Sequence, residues 1–240
     1  MTAPTTVATI TIGQTPRSDV VPAMRRALPD EVRILEYGAL DELSRDEIAG
    51  YAARPGEVGI VTRLRDDSSV LLSHELILPK MQEKADIVVE RDSAEVLVIL
   101  CGADWSALTS PKLIVNPGRL FPAVVTALAA SRKLGIIKPD AGQVEGERER
   151  YSERGVDAAV TSASPYAGHE RLRQARDAGE YLRSEGCELI WMTCVGMDEA
   201  MRDVVAEATG APVILAQSLL ARVVGELLPA RVAAGSLAAG

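Results

Sequence analysis

The chain has 240 residues and a mass of 25.6 kDa, which suits one large globular domain or two compact halves. With 47% hydrophobic and 25% charged residues it has material for a real core, which excludes disorder as its main state. Its 26 Lys and Arg against 34 Asp and Glu give a net charge of −8, without the basic footprint that phosphate neutralisation needs, and this excludes nucleic acid as a partner.

The first strand is predicted over residues 7–12, running into Gly13-Gln14-Thr15-Pro16-Arg17. Ser18 or Asp19 suits the cap of a helix that Pro29 stops after Leu28. Residues 32–37 read as a second strand. Ser44, followed three residues later by Glu47, has the spacing of a capping box and opens another helix. The runs 59–64 and 70–72 flank a polar stretch and predict a hairpin. A helix is expected to start near Pro79, because proline suits a first helical turn, and to reach Asp92. Residues 95–100 are nearly all apolar, as in a central strand covered on both faces, and lead into Cys101-Gly102-Ala103-Asp104. A short strand over 113–115 precedes Asn116-Pro117-Gly118 and a helix to Arg132.

The pattern then restarts. Strands are predicted over 134–138, 157–162, 189–193 and 213–216, and helices over 143–154, 169–184, 197–209 and 217–228. The helix at 169–184 places Leu172, Ala175, Gly179 and Leu182 on one face, and Gly210 closes the one before the last strand. The Ala- and Gly-rich tail after Pro229 is expected to be disordered. Strand alternating with helix predicts an α/β fold of two similar halves with mainly parallel sheets. Residues 1–117, rejoined by 217–240, form the first half, and residues 118–216 the second.

No run reaches the roughly 18–20 apolar residues that span a bilayer, so no membrane association is expected. The opening MTAPTTVATITIG lacks a basic region before an apolar one and does not read as a secretory signal. Three cysteines, Cys101, Cys187 and Cys194, are too few for a disulfide framework and point to a reducing cytoplasm. Cys187 and Cys194 mark opposite ends of one strand, about 23 Å apart, which precludes a bond between them.

Cys101 and Cys194 end an apolar strand in each half, 93 positions apart, each with a glycine within two residues. Ligands of parallel α/β sheets collect at such strand ends. A thiolate near a helix N-terminus has a lowered pKa, and the expected helix after Gly196 would provide that setting for Cys194. Two opposed thiols suit removal of a proton beside a carboxylate and its return on the other face, with no cofactor or metal. The same pair can also perform nucleophilic addition followed by isomerisation, and one thiol alone delivering a proton is a second reading. Buried packing is the third, since free cysteine is among the most buried residue types.

The segments Thr11-Ile12-Gly13-Gln14-Thr15-Pro16-Arg17, Cys194-Val195-Gly196-Met197 and Val213-Ile214-Leu215-Ala216-Gln217-Ser218-Leu219-Leu220-Ala221-Arg222 resemble the corresponding parts of AroM family proteins, over residues 6–228. The resemblance implies the aspartate/glutamate and hydantoin racemase superfamily, hence two flavodoxin-like halves around a cleft. It also implies paired cysteine acid/base groups, matched here by Cys101 and Cys194, and a homodimer by analogy. The superfamily's Cys-Asn-Thr and Cys-Thr-His signatures are replaced by Cys-Gly-Ala and Cys-Val-Gly. Aspartate or glutamate as substrate therefore does not carry over.

The expected activity is a cofactor-independent racemase, epimerase or isomerase of a small carboxylate or amino-acid-like compound. A single-thiol lyase or decarboxylase, or a non-catalytic metabolite binder, is the alternative. Backbone N–H groups around Gly102, Ala103, Val195 and Gly196 would hold the carboxylate and the developing enolate. Gln14, Thr15, Arg17 and Ser162 are further candidate substrate contacts; Arg17 suits a bidentate grip on a carboxylate, or a plain solvated turn. Strand alternation turns Thr193 away from the cleft, and Asn116 reads as a turn residue. His74 and His169 lack metal-ligand spacing, no Walker or Gly-x-Gly-x-x-Gly loop occurs, and Asp140 and Asp198 read as helix-start residues.

Overall fold

The computed structural model describes residues 5–92 and 94–228. Its frame is two four-stranded, all-parallel sheets. In the first, β1 (Thr6–Thr11) lies between β2 (Arg33–Gly38) and β5 (Val96–Ile99), with β6 (Leu113–Val115) outside β5. In the second, β7 (Leu134–Lys138) lies between β8 (Ala158–Ser162) and β9 (Leu189–Met192), with β10 (Val213–Leu215) outside β9. Counted within each half, both sheets have the order 2-1-3-4, the flavodoxin-like arrangement. The first half also carries an antiparallel hairpin, β3 (Ile60–Arg63) and β4 (Ser69–Leu72).

Alternation along the strands sorts the core into layers. Val96, Val98 and Leu100 from the first half join Leu134, Ile136, Leu189 and Trp191 from the second in one shared cluster. The opposite faces, with Leu97 and Ile99 in one lobe and Ile190 and Met192 in the other, fill two separate lobe cores. The shared cluster holds the lobes together. It includes α4 (Pro117–Ala129), whose Phe121 meets Trp191 edge to face at 5.1 Å. α8 (Ala216–Leu227) turns back from β10 and packs on α1 (Val21–Ala27) of the first lobe. Among the described residues, no helix is long and apolar enough to cross a membrane.

Several helix starts differ from expectation, each for a local reason. α1 begins at Val21 with no side-chain cap, because the Asp19 carboxylate is held by Arg17. α2 (Arg45–Ala49) has the Ser44–Glu47 capping box foreseen. α3 (His74–Arg91) starts a turn earlier than Pro79, since Ser73 caps it by accepting from the Leu76 N–H, and Pro79 lies inside it. A 3-10 turn precedes α5 (Val144–Ser152), and another precedes α6 (Arg171–Ser184), whose buried face is Ala175, Ala178, Gly179 and Leu182 rather than Leu172. α7 (Glu199–Thr209) begins beyond Met197, because the Met197 N–H closes a turn onto the Cys194 carbonyl and Asp198 takes the cap. The tail expected to be disordered lies outside the described residues.

Candidate active site

In a 2-1-3-4 sheet the loops after the first and third strands diverge to opposite faces, and ligands gather in the gap between them. Those loops carry Arg17 and Cys101 in the first lobe. In the second lobe the same positions are the end of β7, with Lys138, and the loop after β9, with Cys194. All four residues line one cavity of about 420 Å³, roofed by the hairpin and α5 and within the size range of small-molecule sites. The Gln143 side chain donates to the Gly59 carbonyl at 2.8 Å, joining the two roof segments.

The two thiols are set alike. The Ala103 N–H donates to Cys101 Sγ at 3.5 Å, and the Gly196 N–H to Cys194 Sγ at 3.4 Å. Their loops touch: a Cβ on Gly102 would stand 2.9 Å from the Thr193 carbonyl oxygen. The N–H groups of Gly102 and Val195 make no hydrogen bond to other described residues and border the cavity.

The helix-terminus setting expected for Cys194 is absent, because α7 starts five residues later. Burial instead dominates, pushing the Cys101 thiol up to about 11 and the Cys194 thiol above its usual value. The Ala103 N–H, Trp105 and Arg17 oppose that rise at Cys101, while a Cys194 thiolate adds to it. At Cys194 the Gly196 N–H, Arg17 and Lys138 oppose it. Cys194 is also the more exposed of the two. Cys187 is a buried packing residue of the second lobe core, its thiol raised by burial.

Arg17 is only 2% exposed, so it is no solvated turn residue. Its fork holds Asp19 rather than standing open for a substrate: Nε reaches Oδ1 at 2.8 Å and Nη2 reaches Oδ2 at 2.7 Å. Nη1 donates to Thr11 Oγ1 at 2.6 Å, and Nη2 also to the Tyr166 hydroxyl at 3.4 Å. Burial disfavours its charge, but Tyr166, Asp19 and Cys194 outweigh that and keep it protonated.

Tyr166 escaped sequence reasoning. Burial, reinforced by Cys194, raises its pKa well above the usual value despite Arg17, so it remains a phenol. Its oxygen accepts from Arg17, and its own proton has no acceptor among the described residues. Gly196 is required here, since a Cβ would run into that hydroxyl. Thr62 on β3 was also missed; it lines the cavity, and its buried hydroxyl has no partner among the described residues. On the second lobe, buried Glu147 faces Lys138 and Arg150, each at 3.3 Å. The usable signal for Tyr166 was its position just past a strand end, after Ser162-Ala163-Ser164-Pro165.

Other candidates fall elsewhere. Gln14 and Thr15 are absent from the cavity wall: Gln14 ties Leu40 to the Arg65 N–H, and Thr15 binds the Asp41 carboxylate through its N–H and hydroxyl. Ser162 lines a separate hollow of about 640 Å³ beneath the hairpin. Thr193, expected to point away, does border the cavity, with its hydroxyl donating to the Ile137 carbonyl at 3.1 Å. Asn116 holds the Cys101 loop through the Trp105 N–H and Asp104. Gln217, 3% exposed, donates from Nε2 to the carbonyls of Asp19 at 2.8 Å and Val195 at 3.0 Å, linking loops from both lobes. Among the described residues, no group of three or more His, Cys, Asp or Glu side chains is placed to hold a metal ion.

The family model described as AroM protein matches residues 7–228. No curated protein matches the chain. Among solved structures, the chain is similar to an allantoin racemase from Pseudomonas fluorescens, at 15% identity and a TM-score of 0.56, with 93% of this chain and 90% of that one covered. It is similar to a glutamate racemase from Bacillus anthracis, at 14% identity and a TM-score of 0.62, over 95% and 82%. An arylmalonate decarboxylase gives 13% identity and a TM-score of 0.52 over 93% and 91%. These are likenesses of fold.

Proposed function

The chain belongs to the AroM protein family, and from that premise we propose that it is a cofactor-independent racemase, epimerase or isomerase of a small carboxylate. The observation that carries this reading is the pair of thiols at equivalent strand ends of two like sheets, both on one cavity wall. The cleft would lie between the half expected at residues 1–117 with 217–240, of which 5–92, 94–117 and 217–228 are described, and the half expected at residues 118–216.

In one direction Cys194, beside the Arg17 charge, acts as thiolate and takes the proton next to the carboxylate. Cys101, kept protonated by burial, gives its proton to the opposite face of the same carbon. The reverse turnover exchanges the roles. Negative charge developing on the substrate oxygens is met by the N–H groups of Gly102 and Val195 and the Tyr166 O–H, with Arg17 supplying a fixed positive charge behind them. The Ala103 and Gly196 N–H groups serve the sulfurs instead. Gln14 and Thr15 shape the Arg17 loop, and Ser162 stands outside the reaction.

A single-thiol lyase or decarboxylase is the second reading, favoured by the unequal exposure of the two sulfurs. Turnover of a panel of chiral α-amino and α-aryl carboxylates in deuterated buffer separates the readings. Racemisation with α-deuterium uptake, abolished in both Cys101→Ser and Cys194→Ser, is expected. Release of carbon dioxide supports the lyase, binding without turnover supports a metabolite binder, and full turnover by either variant contradicts the two-thiol mechanism.

A further inference from the structure

Trp105 lies just beyond the Cys101 turn and shares its core cluster, with 1% of its surface exposed. Its indole N–H is buried and makes no full hydrogen bond among the described residues, yet Trp105 is one of the groups that ease the burial penalty on a Cys101 thiolate. An unmet buried donor is costly and uncommon, so it needs an explanation. The ring is also held firmly. Its backbone N–H binds Asn116 Oδ1 at 3.3 Å, and its carbonyl accepts from the Leu108 N–H at 3.0 Å. The His74 ring lies against the indole with centroids 4.4 Å apart, and His74 Nε2 is itself fixed 2.9 Å from the Asp104 carbonyl oxygen.

We infer that the Trp105 indole N–H is a built-in donor to the Cys101 thiolate, weakly held while the sulfur carries its proton and fully engaged once that proton has left. When the S–H bond of Cys101 breaks and its proton moves to the substrate carbon, the negative charge left on sulfur becomes the full acceptor the indole lacks. An N–H donates more strongly to a charged sulfur than to a thiol, so the interaction stabilises the state reached by proton transfer. Its effect on Cys101 is to counter the burial penalty against the thiolate, alongside the Ala103 N–H. Cys194 has no indole; Arg17 and Lys138 supply charge in its place. The two sulfurs, matched in the fold, are thus activated by different devices. Trp105 is a positioning residue, and its use in turnover rests on the two-thiol reading, whereas its effect on the sulfur does not.

The test therefore reads the sulfur directly. Iodoacetamide alkylation of Cys101 and Cys194 is followed by peptide mass spectrometry in the wild-type protein and in Trp105→Phe, which keeps an aromatic ring against His74 and removes the N–H. Loss of one hydrogen bond to a charged group lowers the thiolate fraction at fixed pH about tenfold. The more basic thiolate is the better nucleophile, which leaves Cys101 labelling about threefold slower. Cys194 labelling should be unchanged. An unchanged or faster rate at Cys101, or equal changes at both sulfurs, would overturn the inference. If Trp105→Phe fails to fold, replacement of Trp105 by benzothienylalanine, an isostere lacking the N–H, gives the same readout. Labelling needs no substrate, so the outcome stands apart from whether the protein racemises anything.

Discussion

Replacing Gln217 by Met keeps the length and apolar stem of the side chain and removes both of its donors. Those donors hold the Asp19 carbonyl at 2.8 Å and the Val195 carbonyl at 3.0 Å, and among the described residues neither oxygen has a second partner. Each neutral bond contributes about 1 kcal/mol net, and a carbonyl left dry costs somewhat more, so a loss of about 2–3 kcal/mol is expected. For a chain of this size that is a fall in thermal midpoint of about 5–10 °C. Gln217→Glu, which aims a carboxylate at the same two carbonyls, should cost more than Gln217→Met. Urea unfolding followed by circular dichroism gives both values, with the m-value unchanged if the native state keeps its compactness. A loss below about 0.5 kcal/mol in Gln217→Met, or a Glu variant more stable than the Met variant, would refute the reasoning.

Gly196→Ala drives a methyl group into the Tyr166 hydroxyl, so it should destabilise by about 1–3 kcal/mol and displace Tyr166 from Arg17. Combined with Tyr166→Phe, which removes that oxygen, the loss should be smaller than the sum of the two single changes; strict additivity in a double-mutant cycle would contradict the contact. Burial raises the Cys101 thiol to about 11 from an ordinary 9.0, so the folded chain holds this proton more tightly than the unfolded chain. The corresponding stability is present below about pH 9 and is lost as pH rises towards about 11, amounting to about 2–3 kcal/mol. Cys101→Ala should lack that part of the alkaline decline, and parallel stability curves for the two proteins would contradict a buried thiol.

Much of the frame was legible in the sequence because it rests on local signals. Nearly continuous apolar runs at 95–100 and 189–193 mark central strands, and Ser44 with Glu47 marks a cap whose two bonds lie within one turn. The equivalence of Cys101 and Cys194 followed from their place at the ends of those runs. What failed depended on partners that spacing along the chain does not assign. Asp19 could not cap α1 because Arg17 claims it, and Arg17 could not offer its fork to a ligand for the same reason. Tyr166 meets Arg17 from the opposite lobe, 149 positions away, a pairing that no spacing in the chain reveals. Gln217 stands in the closing segment, residues 213–222, but its purpose appears only when the last helix folds back on the first lobe. The expected lowering of the Cys194 pKa assumed a helix immediately after it, and the turn closed by Met197 removes that assumption.

The most direct test of two sulfurs serving one site is chemical bridging. In a Cys187→Ser background, dibromobimane, which fluoresces when both arms are bonded, should join Cys101 to Cys194 and give one fluorescent peptide pair. Separate single adducts on the two cysteines, with no joined pair under conditions that label both, would contradict the shared cavity.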